Sequence, residues 1–165
     1  MSEPSESDYA CEECGADVDE DDDFCPSCGV IFRDDVRCSN HSSRIAKGVC
    51  LICSKPYCEE CGTSIGKLFF CQRHGEYDIY EGSACVFDSA ENRIAQIAFQ
   101  SLQEGGFHPF AVSRAIVPVT NIGRLTPNIH LGPHLVLVPF GEVQGAEELL
   151  TKLGIRQQST NNPEC

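Results

Sequence analysis

The sequence predicts a fold in two chemically distinct parts: small zinc-stabilised modules first, then an α+β domain of order βαββα. Three observations lead there. Eleven of the 12 cysteines lie before residue 86 of a 165-residue chain. Ten of them, with two histidines, stand in pairs separated by two residues, a spacing that lets both side chains face one ion. From Ala84 onward apolar residues instead recur with the two-residue period of strands and the 3.6-residue period of helices. A chain of this length without tryptophan has room for one ordinary domain or two to three small ones, and the cysteine distribution decides for the latter.

Residues 1–10 hold serine, glutamate and proline with little to bury, and are expected to be a disordered lead-in. The first module spans 11–33, with Cys11, Cys14, Cys25 and Cys28 as metal ligands. Gly15 and Gly29 follow the second cysteine of each pair, where the chain turns and a positive φ costs glycine little. Val18, Phe24, Val30, Ile31 and Phe32 are its whole apolar stock. Modules below about 40 residues generally need a metal or disulfides to fold. A structural zinc supplies an apparent ~10–16 kcal/mol at neutral pH, so the metal takes the place of a core. These two knuckles resemble the short zinc ribbons found at the termini of prokaryotic proteins, a resemblance that implies metal and leaves function open. Four sulfurs suit rubredoxin-like iron as well as zinc, so both metals stay in view at this site. The run Asp19 to Asp23 lacks the alternating oxygens, turn glycine and distal glutamate of a calcium loop, and reads as a solvated acidic loop.

Residues 30–37 carry no glycine, serine or proline, so the first module is expected to pack against the next, at 36–76. Four pairs fall there: Cys38 and His41, Cys50 and Cys53, Cys58 and Cys61, Cys71 and His74. Eight ligands suffice for two zinc ions. An interleaved cross-brace would join Cys38, His41, Cys58 and Cys61 at one ion and Cys50, Cys53, Cys71 and His74 at the other. A sequential arrangement would join the first two pairs and then the last two. Spacing admits both, but the short bridge Ser54 to Tyr57, stiffened by Pro56, ties the middle pairs too tightly for independent fingers and favours the cross-brace. Gly62 to Gly66 reads as a turn and Lys67 to Cys71 as a strand delivering the last pair; Leu51, Ile52, Tyr57, Phe69 and Phe70 supply a small apolar layer. The stretches CSNH, CLICSKPYCEEC and FFCQRH resemble the B-box zinc finger in the form found in small bacterial proteins. The resemblance implies a protein-binding module. Neither a RING domain nor a coiled coil accompanies it, so ubiquitin transfer is not implied.

Glu76 to Gly82 reads as a polar connector, and the last domain is placed at 83–157, followed by a flexible tail at 158–165. Ala84 to Phe87 is a short apolar strand, and Asp88 with Glu91 looks like a capping-box start. Ala90, Ile94, Ile97, Ala98, Ser101 and Leu102 then share one helical face, closed by Gly105 and Gly106. Phe107 to Ala115 is a second strand, 116–133 a long proline- and glycine-bearing connection, and His134 to Pro139 a third strand. Val143, Ala146, Leu149, Leu150 and Leu153 line a second helix ended by Gly154. The run DSAENRIAQIAFQSLQEGGFHPF followed by HLVLVPFGEVQGAEELL resembles a small prokaryotic signal-transduction domain likened to PII proteins. That resemblance implies a ferredoxin-like fold with both helices on one face of an antiparallel sheet. Such a fold needs a fourth strand, for which Ile155 to Gln158 is the candidate. No glycine-rich phosphate motif follows a strand, so the nucleotide ligand of PII proteins is not carried over.

Charge narrows the functional classes. Residues 1–35 carry a net −12, residues 36–75 a net +4, and residues 76–165 a net −5. Zinc ligation deprotonates thiols and takes the chain to about −17, a polyanion that repels nucleic acid at long range. No run approaches the ~18 apolar residues of a membrane span. The opening MSEPSESDYA has neither a basic nor an apolar leader region, so a cytoplasmic setting with metal-bound rather than disulfide-bonded cysteines is expected. Cys85 reads as a buried small hydrophobe, and Cys165 as a free thiol on the tail. His108, His130 and His134 lack the carboxylate partners of a catalytic zinc site. No enzyme is expected. The leading reading is an adaptor holding three zinc ions, with a protein partner and self-association through the C-terminal domain. Nucleic-acid binding by Arg37, Arg44, Lys47, Lys55, Lys67 and Arg73, or a thiol-based redox or zinc sensor, are the alternatives.

Overall fold

Short strands knot around the cysteine pairs of the first half, and a longer sheet with two helices occupies the second. A computed structural model describes residues 9–113 and 133–155. Residues 1–8 of the expected lead-in at 1–10, all but residue 133 of the expected connection at 116–133 and the whole of the expected tail at 158–165 lie outside the described residues; Tyr9 and Ala10, read as disordered lead-in, instead form a strand because they pair with Asp17 and Val18. The chain divides between Glu76 and Tyr77 into two units.

In the first unit, β1 (Tyr9–Ala10) pairs with β2 (Asp17–Val18), β3 (Gly48–Val49) with β4 (Pro56–Tyr57), and β5 (Gly62–Ile65) with β6 (Leu68–Cys71), all antiparallel. The expected turn at Gly62 to Gly66 is therefore mostly strand. The reversal is confined to Gly66 and Lys67, where Gly66 has φ +61°. Bridges Phe24–Ile31, Val30–Gly48 and Arg37–Ile45 extend the pairing past these strands.

The residues after the second knuckle are stitched to the middle of the unit through backbone groups. The Val49 N–H donates to the Gly29 carbonyl at 2.7 Å, and the Phe69 N–H donates to the Cys28 carbonyl at 3.1 Å. Phe69 itself is 5 % exposed and wedges between Gly48 and Gly62. A Cβ on either glycine would come within 2.5 Å or 2.3 Å of its ring. Only glycine lets the two strands approach that side chain. The first module and the interleaved module therefore share one small core, with Val49, Ile52, Phe69 and Phe70 buried in it.

The second unit holds β7 (Ile79–Tyr80), β8 (Ser83–Ser89), α1 (Asn92–Glu104), β9 (Phe110–Ser113), β10 (His134–Pro139) and α2 (Val143–Lys152). The four strands form one antiparallel sheet of order β7-β8-β10-β9. Both helices contact β8 and β10 and also each other, so they lie on the same face. Cys85, Leu135 and Leu137 cluster with Phe110 and Val112 on the other.

Several details depart from the sequence reading. Residues read as a polar connector contain β7, which supplies the fourth strand by a hairpin to β8. Of the candidate Ile155 to Gln158, only Ile155 lies among the described residues, and it follows α2, donating its N–H to the Leu150 carbonyl. Asp88 stays in β8 rather than opening a capping box; α1 starts after Glu91, whose N–H donates to Ser89 Oγ. The buried face of α1 is Ala95, Ala98 and Leu102, while Ile97 is exposed. Alanine at the contact lets a helix sit closer to the sheet than a row of isoleucines would. On α2, Val143, Ala146 and Leu150 are buried as expected, whereas Leu153 lies past the helix end and is exposed.

Candidate metal centres

Three of the four Cys-x2-Cys pairs fold into the same turn. In each, the first cysteine N–H donates to the carbonyl five residues on: Cys11 to Ala16, Cys25 to Val30, Cys50 to Lys55. The residue after the second cysteine then donates back to the first: Gly15 to Cys11, Gly29 to Cys25, Ser54 to Cys50. That returning residue must sit in the left-handed region, at φ +77°, +81° and +54°. Glycine occupies it twice and Ser54 once, at a conformational cost of about 1–2 kcal/mol for a side-chain-bearing residue. The turn aims backbone N–H groups at sulfur: those of Glu13 and Cys14 face Cys11, those of Ser27 and Cys28 face Cys25.

The knuckles bring twelve ligand atoms into three groups of four. Cys11, Cys14, Cys25 and Cys28 form one, Cys38, His41, Cys58 and Cys61 another, and Cys50, Cys53, Cys71 and His74 the third, with all ligand atoms of a group within 4.8 Å of one another. The eight central ligands are thus gathered in the interleaved order rather than the sequential one. A tetrahedron with Zn–S near 2.3 Å has S···S edges of about 3.8 Å, and with Zn–N near 2.0–2.1 Å its N···S edges are about 3.5 Å. The structure gives Cys11 Sγ to Cys28 Sγ 3.7 Å and Cys14 Sγ to Cys25 Sγ 3.6 Å. His41 Nδ1 lies 3.4 Å from the sulfurs of both Cys58 and Cys61 and 3.9 Å from that of Cys38. His74 Nδ1 lies 3.3 Å from those of Cys50 and Cys71. Both imidazoles present Nδ1. The residues present fit a four-coordinate metal.

Electrostatics point the same way. In each group one thiol is held below its ordinary value and another above it. Burial opposes ionisation of Cys11, but the N–H groups of Cys14 and Glu13 outweigh it and bring that thiol down to about 7, whereas burial pushes Cys28 up. Hydrogen bonds from Cys53 and Cys71 lower Cys50, and the Cys50 thiolate in turn raises Cys71. Burial works against protonation of His74, yet the Cys50 and Cys53 sulfurs raise it to about 9. Sulfurs this close cannot all ionise unless a cation sits among them.

Polar side chains support two of the groups. Asn40 Nδ2 donates to Cys61 Sγ at 3.4 Å, and the Tyr57 hydroxyl lies 3.6 Å from Cys53 Sγ while its ring packs on the Cys38, Cys58 and Cys61 cluster. Arg44 pairs with Glu60, and its guanidinium also interacts electrostatically with the Cys58 sulfur. Sequence reasoning passed over Asn40 and Tyr57 as supports, because only the fold brings them beside thiolates 21 and four residues away.

Other candidates are placed differently. Asp23 of the acidic loop pairs with Arg33 at 2.8 Å. Against the sequence reading, His108 has a carboxylate partner: it is exposed and bonds Glu142 at 2.7 Å, 34 residues away and so invisible to local spacing; His134 is buried in β10 with Nδ1 2.9 Å from Ser113 Oγ, and His130 lies outside the described residues, as does Cys165. Neither His108 nor His134 joins a metal-binding group among the described residues. Cys85 is buried with its thiol 3.2 Å from the Phe87 carbonyl, and burial pushes it up to about 11. Among the described residues no helix is long and apolar enough to cross a membrane. No family model matches the chain, and no curated protein or solved structure matches it either.

Proposed function

We propose that this chain is a zinc-folded, non-catalytic adaptor that presents a rigid surface to a protein partner in a cytoplasmic regulatory setting. The observation that carries the reading is the completeness of the three ligand sets. Each group offers four protein ligands at tetrahedral spacing. A catalytic zinc keeps a position open for water or substrate, whereas a structural one is closed. Zinc would be held by Cys11, Cys14, Cys25 and Cys28 in a ribbon, by Cys38, His41, Cys58 and Cys61, and by Cys50, Cys53, Cys71 and His74 in a B-box-like cross-brace. Its chemistry there is to neutralise thiolates and fix the backbone. The ribbon's contribution is to lengthen the ordered surface, since Cys28 and Gly29 are hydrogen-bonded to β6 and β3.

The second unit supports a ferredoxin-like reading. β10 lies between β8 and β9, both helices share one face, and the edge position beside β8 is filled by β7 from upstream. Its other edge, β9, hydrogen-bonds only β10 among the described strands and offers a site for self-pairing.

The test is capture of partners from cytosol on the zinc-loaded chain, on the chain after chelation, and on a Cys50→Ala variant, alongside native mass spectrometry. Three zinc ions per chain and a set of partners lost on chelation and in the variant are expected. A set that persists without metal would sink the reading.

A further inference from the structure

The three sites differ in how much positive character surrounds their sulfurs. The four-cysteine site carries −2 when filled with zinc, the two histidine-bearing sites −1 each. Among the described residues, Asn40 donates to Cys61, Arg44 reaches Cys58 and Tyr57 reaches Cys53, all in the interleaved module. Around the four-cysteine site the charges nearby in sequence are mostly acidic, Glu12, Glu13, Asp17 and the run Asp19 to Asp23, and the one cation within five residues, Arg33, is paired with Asp23. Backbone N–H groups reach sulfurs of the four-cysteine site and of the interleaved module alike, so what differs is the side-chain donors and cations; these withdraw electron density from a zinc-bound thiolate, and a site without them keeps it more nucleophilic. Cys14 is also only half-buried, while Cys25 and Cys28 are at most 1 % exposed.

We propose that the four-cysteine module is an oxidation site for hydroperoxides, which releases its zinc first while Asn40, Arg44 and Tyr57 hold the other two ions in place. The proposal rests on zinc filling all three sites. The sulfurs nearest one another lie across the two knuckles, Cys14 to Cys25 at 3.6 Å and Cys11 to Cys28 at 3.7 Å. A thiolate attacks one peroxide oxygen, the O–O bond breaks, and the oxidised sulfur then forms an S–S bond with its neighbour. Each disulfide takes two electrons from two thiolates. The peroxide receives them and, with two protons, leaves as two molecules of water, or as water and an alcohol from an organic peroxide. Two such events convert all four ligands and free the zinc. A neutral peroxide is not repelled by the acidic surroundings.

The experiment titrates the full zinc-loaded chain with hydrogen peroxide, counting bound zinc by native mass spectrometry and locating disulfides by peptide mapping. Loss of one zinc together with Cys14–Cys25 and Cys11–Cys28 bridges is expected before any cysteine of the interleaved module changes. Simultaneous loss of all three ions, or first oxidation at Cys58, Cys61 or Cys53, would overturn the proposal; bridges within each knuckle would overturn the pairing. A second arm uses Asn40→Ala with Arg44→Ala, for which a second zinc should leave about tenfold faster, with Arg44→Lys restoring part of the retention. Unchanged release from the double variant would remove these residues from the account. Fewer than three ions before oxidant is added would instead overturn the zinc assignment itself.

Discussion

Replacing Phe69 by alanine tests whether the metal-bearing half is one cooperative body. The ring is nearly fully buried, and two of its neighbours are Gly48 and Gly62, which have no side chains to move into the space it would vacate. Its backbone joins the second knuckle to β6 through Cys28 and receives the Leu51 N–H. A site that cannot collapse belongs at the upper end of large-to-small costs, about 3–5 kcal/mol for phenylalanine to alanine. Folding and metal binding are one equilibrium in a module of this kind. At ~1.4 kcal/mol per factor of ten, the combined zinc affinity of the unit should fall by about two to four powers of ten. Competition against a graded series of chelators, with zinc counted by native mass spectrometry, measures this. Cys85 should stay as resistant to alkylation as before, because it belongs to the other unit. Zinc retention within about threefold of the unsubstituted chain, equivalent to less than ~1 kcal/mol, would refute the shared core and leave three clusters that fold independently.

Three further outcomes follow from local structure. Ser54→Gly relieves the only left-handed, non-glycine residue among the three matching knuckles and should stabilise the unit by about 0.5–1 kcal/mol, read as slower zinc transfer to a chelator. Cys85 has its thiol raised from 9.0 to about 11, so at pH 8 its thiolate fraction is about a hundredfold below that of an ordinary cysteine; iodoacetamide labelling of the folded chain should be slower by at least that factor. Glu142 is held below its ordinary 4.5: burial opposes this, and the His108 N–H and ring outweigh it. A depressed carboxyl stabilises above its unfolded value and loses that contribution as pH falls through the folded one. Glu142→Gln should therefore lower the urea-unfolding free energy of the second unit slightly at pH 7, by less than ~1 kcal/mol because His108 is exposed to solvent, and make no difference near pH 3, as followed by NMR methyl signals.

What the sequence made legible was whatever repeats at a fixed spacing. The twelve ligand positions could be written down from their two-residue gaps, and Gly15 and Gly29 from the turn those gaps require. Long apolar runs such as His134 to Pro139 also announced themselves, since six residues of strand carry enough pattern to read. The fourth strand did not, because two residues, Ile79 and Tyr80, carry no period at all. Its existence is decided by pairing with Ala84 and Ser83. The choice of buried face on α1 was equally hidden. Ile94, Ile97 and Ala98 satisfy helical spacing as well as Ala95, Ala98 and Leu102 do, and only the fit to β8 and β10 selects the alanine side. The grouping of the eight central ligands was open on spacing; in the fold the pairing of β3 with β4 closes over Cys50 to Lys55, and the Cys50 and Cys53 sulfurs meet Cys71 and His74 rather than Cys38 and His41.

The two units secure their folds by different means, and this bears on what the chain can register. In the second unit, Phe87, Leu102, Val136, Leu137, Val138 and Val143 are at most 2 % exposed, an ordinary apolar core whose strength does not depend on metal supply or redox state. In the first, strands of two to four residues are too short to hold themselves, and on the proposed zinc assignment their stability is borrowed from thiolate ligation. On that assignment, zinc depletion or oxidation of the ligand thiols acts on the first unit and leaves the apolar core of the second in place. With zinc as proposed, the ribbon and the interleaved module keep one arrangement only while the ions are bound. A partner that reads that arrangement would, on the same proposal, read through it the metal and redox condition of its surroundings.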